Sequence, residues 1–143
     1  MSSQRFLAIV VLNLFFAGCT TQPQRGPASY FAFKGTDPND LFIIELNDPA
    51  KIQEARNILN GTETRKTHVS GRIVKQKAYY NPNWSFYLDP DSITFFELAT
   101  EACDANMRYV EQHLNLVGDS FLPDKRWCPW ASILVREIPS VKN

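Results

Sequence analysis

The sequence predicts an α+β fold, in which a small antiparallel sheet carries two helices on one face. Two kinds of apolar spacing indicate this class. Short apolar runs have the length of strands, and two longer segments repeat apolar residues every three or four positions. Asp-Pro pairs and single glycines separate these segments, as turn-forming residues do between secondary-structure elements.

The first half of the domain is predicted to hold two strands and one helix. Residues 30–33 and Leu41–Leu46 are apolar runs of strand length. Asp48 can cap the free amides of a helix, and Pro49 suits the first helical position. Gly61 ends this helix, whose apolar face is formed by Ile52, Ala55, Ile58 and Leu59.

The middle of the domain is predicted to form two strands joined by a turn. Residues 67–76 place apolar side chains between polar ones and predict a strand, in which Gly71 marks a position for a bulge. Residues 79–83 hold a proline and two asparagines and therefore predict the turn. Residues 84–88 alternate between apolar and polar side chains, which predicts the second strand.

The last third is predicted to hold a long helix and a closing strand. The helix is expected from Ser92 or Thr94 to Val117, and Gly118 ends it. Its helical period is set by Phe96, Ala99, Cys103, Met107, Val110 and Leu114. A loop follows, and residues 132–138 form the closing strand.

The order of these elements narrows the fold prediction. From residue 41 onward the elements run strand, helix, strand, strand, helix, strand. This order is typical of a ferredoxin-like sandwich, in which helices cover one face of an antiparallel sheet. We then expect Cys103 on the long helix and Cys128 just before the final strand.

The charge balance and the motifs exclude several functions. The chain has 15 basic and 15 acidic residues, so it has no field that would attract nucleic acid. The sequence contains no glycine-rich phosphate loop and no Gly-x-Ser-x-Gly elbow. Its cysteines lack the paired spacing of a zinc site. We therefore predict no cofactor, no metal and no catalytic residue, and we expect a protein that is not an enzyme.

The N-terminus has the layout of a secretory signal. Arg5 is followed by an apolar run over residues 6–16, and two small residues then precede Cys19. Residues 16–19 resemble the lipobox of bacterial lipoproteins, with Phe16 at the position where leucine is usual. The alternatives are ordinary secretion or an uncleaved membrane helix, although such a helix needs about 20 apolar residues.

The lipobox resemblance implies a membrane anchor. It implies cleavage before Cys19 and acyl chains on that residue, and two or three such chains hold a protein stably on a bilayer. Residues 1–18 are then the signal peptide, residues 19–29 a lipidated flexible tether, and residues 30–143 a single domain. Two threonines rather than an aspartate follow Cys19, and this favours the outer membrane of the cell envelope if the host has one.

Two cysteines remain if Cys19 carries lipid. Exported proteins meet an oxidising environment, so Cys103 and Cys128 are predicted to form a disulfide. Closing a loop of roughly 25 residues would stabilise the fold by about 3 kcal/mol. The alternative is a pair of buried, unpaired thiols that behave as small hydrophobic side chains.

Several sequence blocks carry a family resemblance. They are residues 48–56, 68–74, 81–90, 103–104 and 126–130. Together they resemble the N-terminal domain of the slime-mould calmodulin-binding protein of seventy-four kilodaltons. The resemblance implies no enzymatic activity. Calmodulin itself is not an expected partner, because its targets are basic amphipathic helices and both predicted helices here carry acidic residues.

An aromatic and amide-rich stretch is the candidate recognition surface. Tyrosine and tryptophan are frequent anchors of binding faces, and loops carry function more often than frameworks do. The candidate residues are Tyr79, Tyr80, Asn83 and Trp84, with Trp127 and Trp130 as neighbours. The alternative is a turn whose aromatic rings fold back onto the sheet. We therefore predict a non-catalytic binding or interaction module with an unidentified envelope protein or ligand as its partner.

Two further hypotheses are that the domain is a hydrolase and that it is a protease inhibitor. A small envelope hydrolase would use His68 and Asp89 as acid and base, which requires both side chains in one pocket. The turn around Pro90 offers a structural explanation for Asp89, since aspartates in turns bond their own backbone. A protease-inhibitor-like plug would need a rigid protruding loop, such as residues 118–127.

Overall fold

The computed structural model describes residues 26–99 and 102–139, which form two antiparallel sheets with two short helices. The strands are Ser29–Lys34 (β1), Leu41–Leu46 (β2), His68–Val74 (β3), Tyr87–Leu88 (β4), Thr94–Phe96 (β5), Arg126–Trp127 (β6) and Ile133–Ile138 (β7). The helices are Pro49–Leu59 (α1) and Met107–Gln112 (α2), and single 3₁₀ turns cover Pro90–Ser92, Leu114–Leu116 and Pro123–Lys125. This combination of two antiparallel sheets with a few short helices is compatible with the predicted α+β class.

The first sheet has the strand order β2-β1-β7 and packs α1 against its inner face. The helix begins as predicted, because Asp48 Oδ1 accepts a hydrogen bond from Ala50 N at 2.8 Å and Pro49 occupies the first turn. Arg56 on α1 donates two hydrogen bonds to the Glu137 carboxylate on β7, at 2.9 and 2.6 Å. The Arg56 guanidinium thereby lowers the pKa of Glu137.

The second sheet is built around β3, which pairs with β4, β5 and β6. Gly71 lies in the middle of β3, and it serves close packing there. A Cβ atom at this position would lie 3.0 Å from Leu88 Cδ1 and 3.3 Å from Ile93 Cγ1. The absence of a side chain therefore lets β4 and the following turn approach the strand closely.

Trp127 lies at the centre of the core between the two sheets and is completely buried. Its ring centroid lies 5.9 Å from that of Phe33, 5.3 Å from that of Phe42 and 5.5 Å from that of Phe86. Its indole Nε1 donates a hydrogen bond of 2.8 Å to the Ala105 carbonyl oxygen. A buried tryptophan needs such a partner for its N–H group, so the contact also fixes the segment around Ala105.

The predicted long helix over residues 92–117 is wrong. Thr94–Phe96 instead forms β5, which pairs with the first residues of β3, and α2 spans only Met107–Gln112. Thr94, Phe95 and Phe96 are β-branched or aromatic and therefore suit a strand. Asn106 begins a new helix, because its Oδ1 accepts a hydrogen bond from Tyr109 N at 2.8 Å.

The prediction of one sheet with two helices on one face is also corrected. The described residues form two sheets, because β5 and β6 supply partners for β3 from segments whose sequence predicts a helix and a loop. With these partners, β3 does not join β1, β2 and β7 in one sheet. The ferredoxin-like order is therefore not the observed arrangement.

Cys103 and Cys128 form a disulfide, with 5.2 Å between their Cα atoms. Cys103 belongs to the irregular segment before α2, so the bridge does not join a long helix to the sheet as expected. The Cys128 amide also donates a hydrogen bond of 2.9 Å to the Cys103 carbonyl oxygen. The bridge therefore holds the segment before α2 against the chain that leaves β6.

The N-terminal predictions lie mainly outside the described residues, including the signal peptide 1–18 and Cys19. Of the predicted tether, residues 26–29 are described, and Gly26 N donates a hydrogen bond of 3.1 Å to the Asn47 carbonyl oxygen. Within residues 26–99 and 102–139, no helix has the length and apolar character needed to span a bilayer.

Removing the disulfide should destabilise the domain. We expect the double variant Cys103→Ser/Cys128→Ser to lose about 3 kcal/mol of unfolding free energy, because the unfolded chain regains the entropy of an open loop. Urea denaturation followed by tryptophan fluorescence measures this loss. A thiol reductant should shift the wild type to the same midpoint and leave the double variant unchanged. An unaltered wild-type midpoint in reductant would contradict the prediction.

Candidate binding site

The outer face of the first sheet carries a cluster of tyrosines. Along β1 and β2, alternation directs Phe31 and Ile44 into the core and places Tyr30 opposite Glu45 on the other face. The chain after β3 crosses this outer face. It completes a group of side chains that we call the tyrosine cluster: Tyr30, Tyr79, Tyr80 and Tyr87.

Tyr80 is the centre of the tyrosine cluster. Its ring centroid lies 5.1 Å from that of Tyr30, 5.4 Å from that of Tyr79 and 6.3 Å from that of Tyr87. The side chain is only 5% exposed, whereas Tyr79 is 56% exposed and covers one side of it. The hydroxyl of Tyr79 forms a hydrogen bond with the hydroxyl of Tyr30. The cluster therefore has a buried centre and one accessible ring.

The hydroxyl of Tyr80 is buried without a partner. Within the described residues, Tyr80 Oη is the one buried side-chain oxygen or nitrogen that makes no hydrogen bond. Burial, together with the nearby Glu45 carboxylate, raises the pKa of this phenol well above its ordinary value. The group is therefore a neutral hydroxyl that can both donate and accept a hydrogen bond.

A cavity of about 390 Å³ opens beside this cluster, and we call it the tyrosine cavity. Tyr79, Tyr80 and Tyr87 line its aromatic part. Its polar lining includes Glu45, Asn47, Gln76, Lys77, Asp89 and Asp91. Aromatic walls with a few polar groups are the usual composition of a small-molecule site.

Asn81 fixes the loop that forms one wall of the tyrosine cavity. Its side chain is buried, and Oδ1 accepts a hydrogen bond of 3.0 Å from Ile43 N on β2. Its Nδ2 donates to the Phe86 carbonyl oxygen at 3.3 Å. Trp84 Nε1 donates a hydrogen bond of 2.8 Å to the Leu41 carbonyl oxygen, again on β2. The turn predicted for residues 79–83 is therefore tied to the first sheet.

The six residues predicted as a recognition surface do not form one. Tyr80, Trp84 and Trp127 are buried, and this corrects their assignment as exposed contacts. Exposed positions include Tyr79 and Asn83, and Trp130 is 40% exposed. Trp130 contacts Phe96, which pairs with His68 at the beginning of β3. That position is roughly 20 Å along the strand from Val74, where β4 and Tyr87 lie.

His68 and Asp89 are not brought together. His68 Nδ1 donates to the Ser132 carbonyl oxygen at 3.1 Å, and its ring packs against Phe96. Asp89 N donates to the Arg72 carbonyl oxygen, four residues further along β3, which places the two residues roughly 13 Å apart along the strand. Asp89 Oδ1 accepts a hydrogen bond from Asp91 N and caps the 3₁₀ turn. Both side chains thus have structural roles.

Residues 118–127 do not form the protruding loop that a plug would need. Leu122 and Trp127 from this segment are buried in the core. The segment instead lines a cavity of about 470 Å³ beside the disulfide, with Arg72, Asp124 and Arg126 at its wall. Across the described residues, no group of three or more His, Cys, Asp or Glu side chains could hold a metal ion.

A match to a family model defines the class of this domain. Residues 27–141 match the family model of the BP-74 N-terminal domain, which covers most of the chain. The chain therefore belongs to the BP-74 N-terminal domain family. No curated protein and no solved structure matches the chain.

The sequence does not predict most of the residues that line the tyrosine cavity. The sequence predicts Glu45 as part of one strand and Gln76 as the end of another, and it assigns neither a role in binding. The available signal was the position of Glu45 within an otherwise apolar run, since a charge there must face away from the core. Residues 76–80 approach that face through contacts with residues that are distant from them in the sequence.

Replacing Tyr80 with phenylalanine should not destabilise the protein. Because Tyr80→Phe removes a buried hydroxyl without a partner, we expect the unfolding free energy to stay level or to rise by about 1 kcal/mol. Urea denaturation measures the change. Tyr109→Phe, which removes the hydroxyl of a 46% exposed ring outside this cluster, is the control and should change stability by less than about 0.5 kcal/mol. A loss above about 1 kcal/mol in Tyr80→Phe would mean that the hydroxyl has a structural partner.

Proposed function

We propose that this protein is a lipid-anchored module of the bacterial cell envelope that acts by binding a ligand rather than by catalysis. The observation that carries the binding role is the buried hydroxyl of Tyr80 at the tyrosine cavity. A buried polar group without a partner destabilises a fold, so its presence beside a cavity favours a role in contacting a ligand. Membership of the BP-74 N-terminal domain family is compatible with this role.

The anchor in this proposal is Cys19. Its support is the lipobox-like sequence of residues 16–19, together with a disulfide of the kind that persists in oxidising compartments. Gly26, whose amide donates a hydrogen bond to Asn47 directly after β2, lies seven residues after Cys19. Seven residues span at most roughly 25 Å, so the anchor would hold the domain close to the bilayer surface.

The two residues of the competing hydrolase hypothesis, His68 and Asp89, make separate contacts, and this supports a non-catalytic role. The imidazole of His68 is bonded to a backbone carbonyl and packed against Phe96. Asp89 caps the 3₁₀ turn Pro90–Ser92, and its amide bonds Arg72, which lies four residues further along β3 than His68. An acid–base pair must reach the same reacting group, and the separation of these residues along β3 opposes that role.

Loss of the thiol should release the protein from the membrane fraction. In Cys19→Ser the oxygen cannot replace sulfur as the acyl acceptor, so we expect the protein in the soluble envelope fraction, whereas the control Thr20→Ser should remain with the membrane. Mass spectrometry of the wild type should find an N-terminal Cys19 that carries acyl chains. A bare thiol in the mature wild-type protein would overturn the anchor.

Binding should depend on access to the tyrosine cavity. We expect the small-molecule fraction of a native envelope extract to raise the melting temperature of the detergent-solubilised mature protein, because a ligand that binds only the folded state stabilises it. Gln76→Trp places a large ring at the cavity wall and should abolish this increase. Gln53→Trp, on the exposed surface of α1, is the matched control and should retain it. Equal increases in both variants would contradict binding at this cavity.

A further inference from the structure

A second cavity, of about 250 Å³, lies where three segments of the chain meet, and we call it the amide cavity. Asn39 and Asp40 come from the loop before β2, Asn83 comes from the chain between β3 and β4, and Arg108 and Gln112 come from α2. None of the described residues that line it also lines the tyrosine cavity. The amide cavity is therefore a separate site on the domain.

Hydrogen bonds between the three segments hold the walls of the amide cavity in place. Asp40 is only 7% exposed, and its Oδ1 accepts a hydrogen bond of 2.5 Å from Arg108 Nη2, which joins α2 to the loop before β2. Both carboxylate oxygens of Glu111 on α2 accept from Ser85 N, at 3.3 and 3.0 Å. These bonds surround the cavity and fix its shape, so a ligand would meet groups that are already in position.

The groups that remain for a ligand are mainly neutral amides. The side chains of Asn39, Asn83 and Gln112 are exposed, and within the part of the chain that the structure describes their amides make no hydrogen bond. Each amide offers N–H donors and an oxygen acceptor. The Arg108 side chain is 64% exposed, and its N–H groups other than the one bonded to Asp40 can still donate.

This lining favours a neutral ligand that carries several hydroxyl groups. An anion at Arg108 would compete with Asp40 for the guanidinium and would share the cavity with the Glu111 carboxylate. A hydroxyl group both donates and accepts a hydrogen bond, as a side-chain amide does, so the two match without a change of charge. The volume lies below the range of about 300–1,000 Å³ that is usual for drug-sized ligands, which favours a single ring.

We propose that the amide cavity binds one ring of a neutral sugar. The amides of Asn83 and Gln112 donate to its hydroxyl oxygens and accept from its hydroxyl groups. Arg108 donates to a further hydroxyl oxygen, while the buried carboxylate of Asp40 keeps the guanidinium in position. This site goes beyond the ligand proposed for the tyrosine cavity and does not depend on it.

D-Glucose, D-galactose, D-mannose and N-acetyl-D-glucosamine are the probes for this proposal. Each is titrated into the isotope-labelled mature protein, in a detergent that carries no sugar group, while two-dimensional NMR follows the side-chain amide signals of Asn83 and Gln112. We expect at least one sugar to shift these signals saturably at roughly millimolar concentration, because a single ring makes few contacts. Cyclohexanol, a ring with one hydroxyl group, should not shift them.

Two variants and a matched control locate the binding. Asn83→Ala and Gln112→Ala each remove one amide, so each should weaken sugar binding by roughly threefold to tenfold, measured on the amide signal that remains. Gln53→Ala removes an exposed amide from α1, outside the cavity, and its affinity should equal that of the wild type. All three changes are at exposed positions, and urea denaturation should give them wild-type midpoints.

The other outcomes would overturn the proposal. If none of the four sugars binds, or if Gln53→Ala weakens binding as much as Gln112→Ala, the cavity is not a sugar site. Inorganic phosphate, titrated at constant ionic strength, tests the anion alternative, and a shift of the same signals at lower concentration than any sugar requires would contradict the neutral class.

The variant Gln76→Trp separates this proposal from the binding role of the tyrosine cavity. Because Gln76 lines the tyrosine cavity and not the amide cavity, sugar binding should persist in this variant. Loss of sugar binding in Gln76→Trp would assign the sugar to the tyrosine cavity, so the present proposal would be wrong and the earlier one would stand. Absence of sugar binding would leave the result of the extract experiment unchanged.

Discussion

Trp127 fills the space between the two sheets, and the arrangement of the domain depends on that burial. Its ring touches Phe33 and Phe42 of the first sheet, while β6 ties its backbone to β3 of the second. The indole N–H group bonds the segment before α2, and the adjacent Cys128 joins the same segment through its disulfide. One side chain therefore connects both sheets to the irregular chain between β5 and α2. Large aromatic rings contribute most to such a core because they bury the most apolar area.

This central packing leaves the outer face of the first sheet to another group of side chains. Since Phe31 and Ile44 point inward, Tyr30 and Glu45 must point outward. The loop after β3 covers part of that face and is held there by the buried amide of Asn81. The tyrosine cavity is thus a consequence of strand alternation plus one anchored loop. A rigid sheet below and a fixed loop beside it provide the preformed geometry that binding sites need.

The N-terminal segment and the tyrosine cavity meet at the same place on the domain. Asn47 lines the cavity, and its carbonyl oxygen accepts the hydrogen bond from Gly26. An anchor at Cys19 would therefore connect to the domain beside the cavity rather than at a distant surface. The proposed membrane attachment and the proposed ligand site would consequently lie near each other on the domain. A ligand generated or released near the bilayer would meet the cavity within the reach of the tether.

The sequence by itself determined the α+β class, α1 with its Asp48 cap, the strands β1, β2 and β7, and the cysteine pair. Each of these follows from local spacing, capping chemistry or a count of thiols. Tertiary structure alone decided that Thr94–Phe96 becomes a strand, because its apolar residues fit both a strand and a helix until β3 offers a pairing partner. It also decided which aromatic rings are buried, since Trp84, Trp127 and Tyr80 have the composition of a binding face but pack against residues far away in sequence. The cavity of Tyr80 and Glu45 depends on such a long-range approach, which no local pattern encodes.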